Sequence, residues 1–431
     1  MSGVASVKGM NDLLPPESEI WQRIERVARE LFGRYGFSEI RTPILEHTEL
    51  FVRSVGEVTD IVGKEMYTFT DKGDRSVTMR PEGTAPAARA YIEHNIANAE
   101  PVTRWFYMGP MFRYERMKTG RYRQFSQIGA EAYGAIDPAQ DVEVIALVWA
   151  FLKQIGVPDI KLHLNSLGDA GTRPAYLAAL SEHFKPFVDA MSDEAKVAYE
   201  RNTMRLLDSK EEALKDAIAS APAIIDFIDE TSKTHFASVC RLLEKLGIPY
   251  ELDRRLVRGL DYYTRTTFEF VYTPTGKNEL GTAGTVCGGG RYDRLVHELG
   301  GPEKPAVGFA MGLDRLVLLI KALNPPAKTG PTLFIGTFDG TERDDAIALV
   351  MKLRDEGHFV DFDPRGGKLG KQKERASKVG AAFFAGYGGN EHASRSLKID
   401  DMNAPKDAPR SEQVSIDGLS AWLNERAKRP S

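Results

Sequence analysis

The segment Asn324-Pro325-Pro326-Ala327-Lys328-Thr329-Gly330-Pro331 constrains the fold more than any other part of this chain. Its prolines and glycine cannot continue a helix or a central strand, so it reads as a linker. The rhythm differs on its two sides. Beyond it, strand and helix alternate: a strand over 332–336, a helix over 342–356, a strand over 358–362, a helix over 368–379, a strand over 382–385 and a last helix near 419–427. Such alternation predicts a small α/β domain, 331–431, with a mainly parallel core.

Ahead of the linker, Ile20, Ile24, Val27, Leu31 and Phe32 fall on one face of a predicted helix over 17–35, with Gly36 as its stop. Short β-type runs follow at Val77–Arg80, Arg104–Met108 and Gln124–Ile128. Runs of this kind without obligatory helices between them predict an antiparallel sheet. Asp141 to Ile155 reads as an apolar helix, and Ile160, Leu162 and Leu164 as an alternating strand. The stretch 169–247 is helix-favouring and holds no cluster resembling a chemical site. β-type texture returns at Tyr250–Tyr272. The expectation is an α+β protein: a sheet domain over 1–168, a helical insertion over 169–247, and the sheet domain resumed over 248–325. A length of 431 residues suits two or three domains.

Composition removes several classes. Cys240 and Cys287 are the two cysteines, which excludes disulfide scaffolds and CxxC zinc sites. The eight histidines form no HExxH. No secretory signal and no apolar run long enough for a membrane span is visible. A net charge of −4 leaves room for RNA binding through a local basic patch. A cytoplasmic enzyme or binding protein is expected, away from membranes.

Chemistry concentrates in a few segments. Phe112-Arg113-Tyr114-Glu115-Arg116 is joined through a polar loop with Gly120 to Arg121-Tyr122-Arg123-Gln124-Phe125. Guanidinium forks pair bidentately with phosphate oxygens, and Phe125 offers a flat face to a purine. A charged hairpin with solvated arginines is the alternative. Leu256 to Thr264 (LVRGLDYYT) sets two tyrosines beside an Arg-Gly turn, as a polar pocket requires. Strand tyrosines covering a core edge would look the same. Arg80-Pro81-Glu82-Gly83-Thr84 ends a strand, and Thr84 is placed to cap the following helix. The glycine-dense run 281–290, followed by Arg291-Tyr292-Asp293, lets backbone approach a ligand closely. It is neither a P-loop nor a GxGxxG dinucleotide loop. Ala306 to Leu316 reads as a strand turning into a helix that opens with Asp314-Arg315. That pair suits a phosphate near a helix N-terminus, or a plain ion pair.

In this order the segments resemble the three motifs of class II aminoacyl-tRNA synthetases. Arg41 to Glu46 is similar to motif 1, Phe112 to Glu131 to motif 2, and Gly308 to Leu316 to motif 3. Within that class, LVRGLDYYT and GGGRYDRLV (288–296) resemble the two histidine-specific motifs of the histidyl-tRNA synthetase family, and Lys8-Gly9-Met10-Asn11-Asp12 is similar to that family's opening. The resemblance spans essentially the whole chain. It implies a class II antiparallel-sheet catalytic domain with a helical insertion, plus a C-terminal α/β anticodon-binding domain. It also implies roles. Arg113 would hold the α-phosphate of ATP, with Glu115 and Arg121 nearby, Phe125 on the adenine and Arg315 on the γ-phosphate. Glu82, Gly83 and Thr84, helped by Gln127, would hold the amino group of histidine. Glu131 and Tyr263 would bind the imidazole, Tyr262 would line the pocket, and Arg258 would act with Arg113 as the adenylate forms.

The implied reaction joins histidine to tRNA(His) through histidyl-adenylate. Both reactants of the first step are anionic, so guanidinium groups and Mg²⁺ offset their repulsion. A site that hydrogen-bonds both ring nitrogens rejects analogues lacking them by about 10⁴–10⁵, without an editing domain. The resemblance further implies a homodimer through motif 1. Lys371, Arg375 and Lys378 share one face of a helix, either as a tRNA phosphate stripe or as a solvated surface. The competing class is a non-catalytic regulatory relative, which typically lacks the anticodon domain and has degraded motifs. Here Arg113, Arg258 and Arg315 are all present.

Overall fold

Helix Glu17–Arg34 forms on the predicted stripe and buries Ile20, Ile24, Leu31 and Phe32, with Trp21 and Ala28 added. Phe32 meets Phe106, Phe151 and Phe309 edge-on at 5.3, 5.5 and 5.9 Å, so the helix is keyed into the main core. The computed structural model describes residues 4–55, 59, 61–169, 171–209, 211–256, 262–274, 284–323, 330–338, 340, 342–405 and 411–426. They fall into two units, Met1–Pro325 and Pro326–Ser431. The linker prolines Pro325 and Pro326 lie outside the described residues.

The strands of the first unit are β1 (Ser38–Glu39), β2 (Leu45–His47), β3 (Tyr67–Thr70), β4 (Ser76–Met79), β5 (Thr103–Phe112), β6 (Gln124–Tyr133), β7 (Ile160–Ser166), β8 (Glu251–Leu252), β9 (Thr264–Tyr272), β10 (Gly284–Arg291) and β11 (Ala306–Gly312). Eight of them form one sheet in the order β1-β5-β6-β11-β10-β9-β7-β8. Its interior pairings are antiparallel, and only the short edge strands β1 and β8 pair in parallel. β2, β4 and β3 make a separate three-stranded sheet.

Side chains alternate across the large sheet. On β6, Ile128, Ala130 and Ala132 enter the main core, as do Phe106 on β5 and Val307, Phe309 and Met311 on β11. Gln127, Gly129, Glu131 and Tyr133 therefore share the opposite face. Register sets Tyr107 across from Gly129, and Gly308 across from Glu131.

Helix Pro138–Gln154 covers the core face and begins earlier than its apolar run suggested. Asp137 caps it by accepting from the Ala139 amide at 2.9 Å, with proline in the first turn. Over 169–247 the chain is helical, in segments such as Thr172–Phe184 and Asp193–Arg201 joined by 3₁₀ turns. Tyr176, Leu180, Phe184 and Leu206 form a small core of their own, whereas helix Glu230–Lys245 sends Phe236, Val239 and Leu243 into the main core.

The second unit holds β12 (Leu333–Thr337), β13 (Val360–Asp361), β14 (Phe383–Tyr387), β15 (Ser396–Asp401) and β16 (Ser411–Ser415), in the order β13-β12-β14-β15-β16. The first three pair in parallel, as alternation predicted. β15 and β16 add an antiparallel edge that the sequence reading lacked, so the sheet is mixed.

Candidate active site

The glycines of the large sheet make room for the site. A Cβ at Gly308 would stand 1.8 Å from Oε2 of Glu131, and one at Gly129 would stand 2.3 Å from the Tyr107 hydroxyl. The described part of the dense glycine run, from Gly284, lies on β10, with Gly290 packed under Tyr263.

Glu131 is fully buried on β6. Its Oε1 accepts from the Thr84 hydroxyl at 2.7 Å and the Tyr107 hydroxyl at 3.0 Å, and its Oε2 accepts from the Tyr292 hydroxyl. Burial raises its pKa to about 8 despite those donors, with the Glu82 charge adding to the rise. Glu82 is buried too, and burial lifts it above the usual carboxylate range. It accepts from the amides of Thr84 and Ala85 at 2.7 and 2.8 Å. Thus the N-cap residue of helix Thr84–Glu93 is Gly83, and the Glu82 carboxylate, not the expected Thr84 hydroxyl, accepts from its first amides. Thr84 lies inside the helix, with its hydroxyl turned to Glu131. Oε1 of Gln127 is buried on the same face without a hydrogen-bond partner.

The rings of Tyr262, Tyr263 and Tyr292 enclose one side. Tyr262 lies 4.7 Å from Tyr263 and 5.5 Å from Tyr292, centroid to centroid. Tyr262 is nearly fully buried, and Tyr263 packs partly buried against the same cluster. Arg258 lies outside the described residues.

Arginines line the other end. Arg113 donates from Nε to the Pro81 carbonyl at 2.8 Å, and its guanidinium lies over the Phe125 ring at 5.4 Å. Burial lowers its pKa, and the Glu82 charge acts against that. Arg121 donates to Glu115 at 3.2 Å. Arg315 packs against Gly284, where a Cβ would stand 2.0 Å from Nη2. Burial and the nearby Arg121 charge both lower the Arg315 pKa, as for two cations facing one space. Asp314 accepts from the Ser126 amide at 2.8 Å, tying helix Leu313–Leu323 to β6. The segment 113–123 is an irregular loop with one bridge, Lys118 to Arg121, not an extended hairpin. Gly9 anchors it, since its carbonyl accepts from the amides of Arg123 and Gln124 at 2.9 and 3.1 Å.

Sequence reasoning missed Tyr107 altogether and gave Tyr292 no role. It also passed over Arg80, which is buried and donates to Pro110 and Thr42, each at 2.9 Å. Alternation along Trp105-Tyr107-Gly109 against β6 carries the missing signal for Tyr107. In the second unit, Lys371 and Lys378 are exposed, but Arg375 is half-buried and pairs with Asp363 at 3.8 Å.

The model of the family described as histidyl-tRNA synthetase matches residues 9–316, from the Gly9 anchor to the first turn of helix Leu313–Leu323. The chain belongs to the histidyl-tRNA synthetase family. A second model, described as anticodon binding domain, matches residues 333–426. Histidine–tRNA ligase of Synechococcus elongatus is 48% identical over 383 residues, covering 88% of this chain and 86% of that protein. The Geobacillus thermodenitrificans histidine–tRNA ligase is 44% identical over 426 residues, covering 98% of both. The solved structure of apo S. aureus histidyl-tRNA synthetase shares 37% identity with a TM-score of 0.81, over 98% of this chain and 100% of that one. As a histidyl-tRNA synthetase family member, the chain is a histidine–tRNA ligase, an enzyme whose family takes ATP as substrate.

Proposed function

We propose that the buried face of β5, β6 and β11 holds histidine, and that the arginine-lined end holds ATP. One observation carries this reading. A buried carboxylate pair, Glu82 and Glu131, adjoins a guanidinium, Arg113, that hydrogen-bonds the backbone beside Glu82. Carboxylates suit an amino group and a ring N–H; guanidiniums suit phosphate.

Glu82, Thr84 and the orphaned Gln127 oxygen would receive the α-amino group, with Gly83 giving close approach. Glu131 and Tyr263 would take the imidazole, and Tyr262 would wall the pocket. Arg113 would hold the α-phosphate where the carboxylate attacks in line, joined by Arg258. Phe125 would carry the adenine, Arg315 the γ-phosphate, and Arg121 with Glu115 the triphosphate's approach. The attacking carboxylate belongs to the substrate, so these residues orient charge and need not supply a nucleophile. The 3′-hydroxyl of tRNA(His) would then attack the adenylate carbonyl.

Mg²⁺ is proposed alongside ATP. Such an ion is ordinarily held by one or two carboxylates plus the substrate's phosphates. Thr285 donates to Glu269 at 2.6 Å, one residue from the Gly284 that seats Arg315, so this oxygen pair fits the requirement. Bound there, the ion would neutralise phosphate charge.

The cytoplasm is the proposed setting, in keeping with a low cysteine content of two in 431 residues. The boundaries 1–168, 169–247, 248–325 and 331–431 stand as proposed domains, the last binding the anticodon through Lys371, Lys378 and, once freed from Asp363, Arg375. A homodimer is proposed through the motif 1 region. There Ile44, Leu45 and Phe69 are 42, 47 and 47% exposed on or beside the three-stranded sheet, more apolar surface than a lone monomer needs to show. Histidine-dependent ATP–pyrophosphate exchange across a panel of amino acids tests the reading. Among the proteinogenic amino acids histidine alone should support exchange; exchange with another of them, or with none, overturns it.

A further inference from the structure

Glu131 is held by more donors than burial of one carboxylate calls for. An ionised carboxylate offers about four acceptor sites. Thr84 and Tyr107 fill the two on Oε1, and Tyr292 fills one on Oε2. These donors come from three separate elements: a helix start, β5 and the turn after β10.

Both tyrosines are built in. The Tyr107 ring lies where side chains at Gly83 and Gly129 would be, at 2.1 and 2.4 Å from their absent Cβ atoms. Tyr292 is fully enclosed against Tyr262 and Tyr133, and its amide donates to the Ala306 carbonyl at 2.8 Å. Its neighbour Arg291 is locked by Asp141, by Asp293 at 3.0 Å and by the Ala135 carbonyl at 3.0 Å. A hydroxyl mounted this rigidly fixes the direction of its acceptor.

We propose that Tyr107 and Tyr292 are specificity-determining positioning residues, which with Thr84 orient the Glu131 carboxylate so that a single acceptor site, on Oε2, remains for a ring N–H. The proposal rests on the reading that Glu131 receives the imidazole. A side chain without a ring N–H would leave that site unfilled in a buried carboxylate, which is strongly disfavoured. Without the hydroxyls, the carboxylate would rotate and its selectivity would fall.

The test compares Tyr107→Phe, Tyr292→Phe and Glu131→Gln with the parent in pyrophosphate exchange. Histidine and thiazolylalanine, which lacks a ring N–H, are the substrates. Each Tyr→Phe change should raise the KM for histidine roughly tenfold to a hundredfold, as for a lost hydrogen bond to a charged acceptor, and leave the KM for ATP unmoved. Preference for histidine over thiazolylalanine should narrow. The acid limb of kcat/KM for histidine should move to higher pH, since losing a donor disfavours the carboxylate. The charged and titratable groups facing Glu131 (Glu82, Arg113, Tyr133 and Tyr262) are left in place. If Glu131→Gln raises the KM for histidine but both tyrosine variants keep the parent's KM, selectivity and pH limb, the positioning role is overturned. It is equally overturned if the KM for ATP rises in step. Should Glu131→Gln leave the KM for histidine unchanged, the imidazole assignment itself fails. Tyr107 lies on β5 and Tyr292 in the turn after β10, so loss of fold in one variant leaves the other as the test.

Discussion

Arg291 donates from Nε to both oxygens of Asp141, at 3.2 and 3.1 Å, and neither side chain is exposed. The pair joins helix Pro138–Gln154 to the end of β10, and His235 Nε2 lies 3.2 Å from the same carboxylate. Burial alone would raise the Asp141 carboxyl, but the Arg291 charge and His235 bring it below its ordinary value. Asp141→Asn or Arg291→Met should therefore destabilise the first unit by roughly 3–5 kcal/mol, because each strands a buried charge. Since the folded-state carboxyl is depressed, this stability is present above its unfolded value and lost as pH falls through the lower folded one. Urea unfolding of parent and variants from pH 7 down to pH 3 checks both size and direction.

Glu131 should show the opposite slope. Its carboxyl rises from 4.5 unfolded to about 8 folded, so the folded state binds the extra proton between those values. Its contribution is fully present below the unfolded value and is lost as pH rises through the folded one. Glu131→Gln carries no such titration. The difference in melting temperature between variant and parent should shift in the variant's favour from about pH 4.5 to about pH 8, then level off. A difference that does not vary across that range would show the carboxyl titrating normally.

Arg113→Ala and Arg258→Ala should each slow adenylate formation by about 10²–10³, the effect of removing one donor to transition-state charge. Single-turnover measurement of histidyl-adenylate separates this from weaker substrate binding. Near-parent rates would remove that arginine from the chemistry.

Truncation after Pro325 should leave pyrophosphate exchange largely intact. The second unit has its own core around Leu333, Ile335, Val350, Leu397 and Leu423, none of which belongs to the first unit's core. Charging of tRNA should fall, become less dependent on the anticodon and vary less steeply with salt. Undiminished charging with the same salt slope would refute an anticodon role.

The sequence carried its long elements well because periodicity is a local signal. Ile20, Ile24 and Leu31 announce their helix, and strand–helix alternation after Pro331 announces the second unit's parallel strands. Proximity among motif residues was also legible in part: Thr84 donates to Glu131, Glu82 accepts from the Thr84 amide, and Tyr262 packs on Tyr263. Partners decided across the sheet were not. Tyr107 acquires its role from strand register, and Asp141 from an arginine 150 positions away. Thr84 is the first helical residue and turns its hydroxyl to Glu131, which leaves the first amides of the helix to the Glu82 carboxylate. β15 and β16 are separated by nine residues, 402–410, fewer than a helical crossover between parallel strands needs.

Handling of the protein is affected by the way Gly9 fastens the loop 113–123. Its left-handed backbone (φ +86°) has no space for a side chain beside Arg123 and Met117, and its carbonyl accepts from the amides of Arg123 in that loop and Gln124 at the start of β6. An affinity tag fused ahead of Lys8 would pull on the strap that shapes the arginine-lined end.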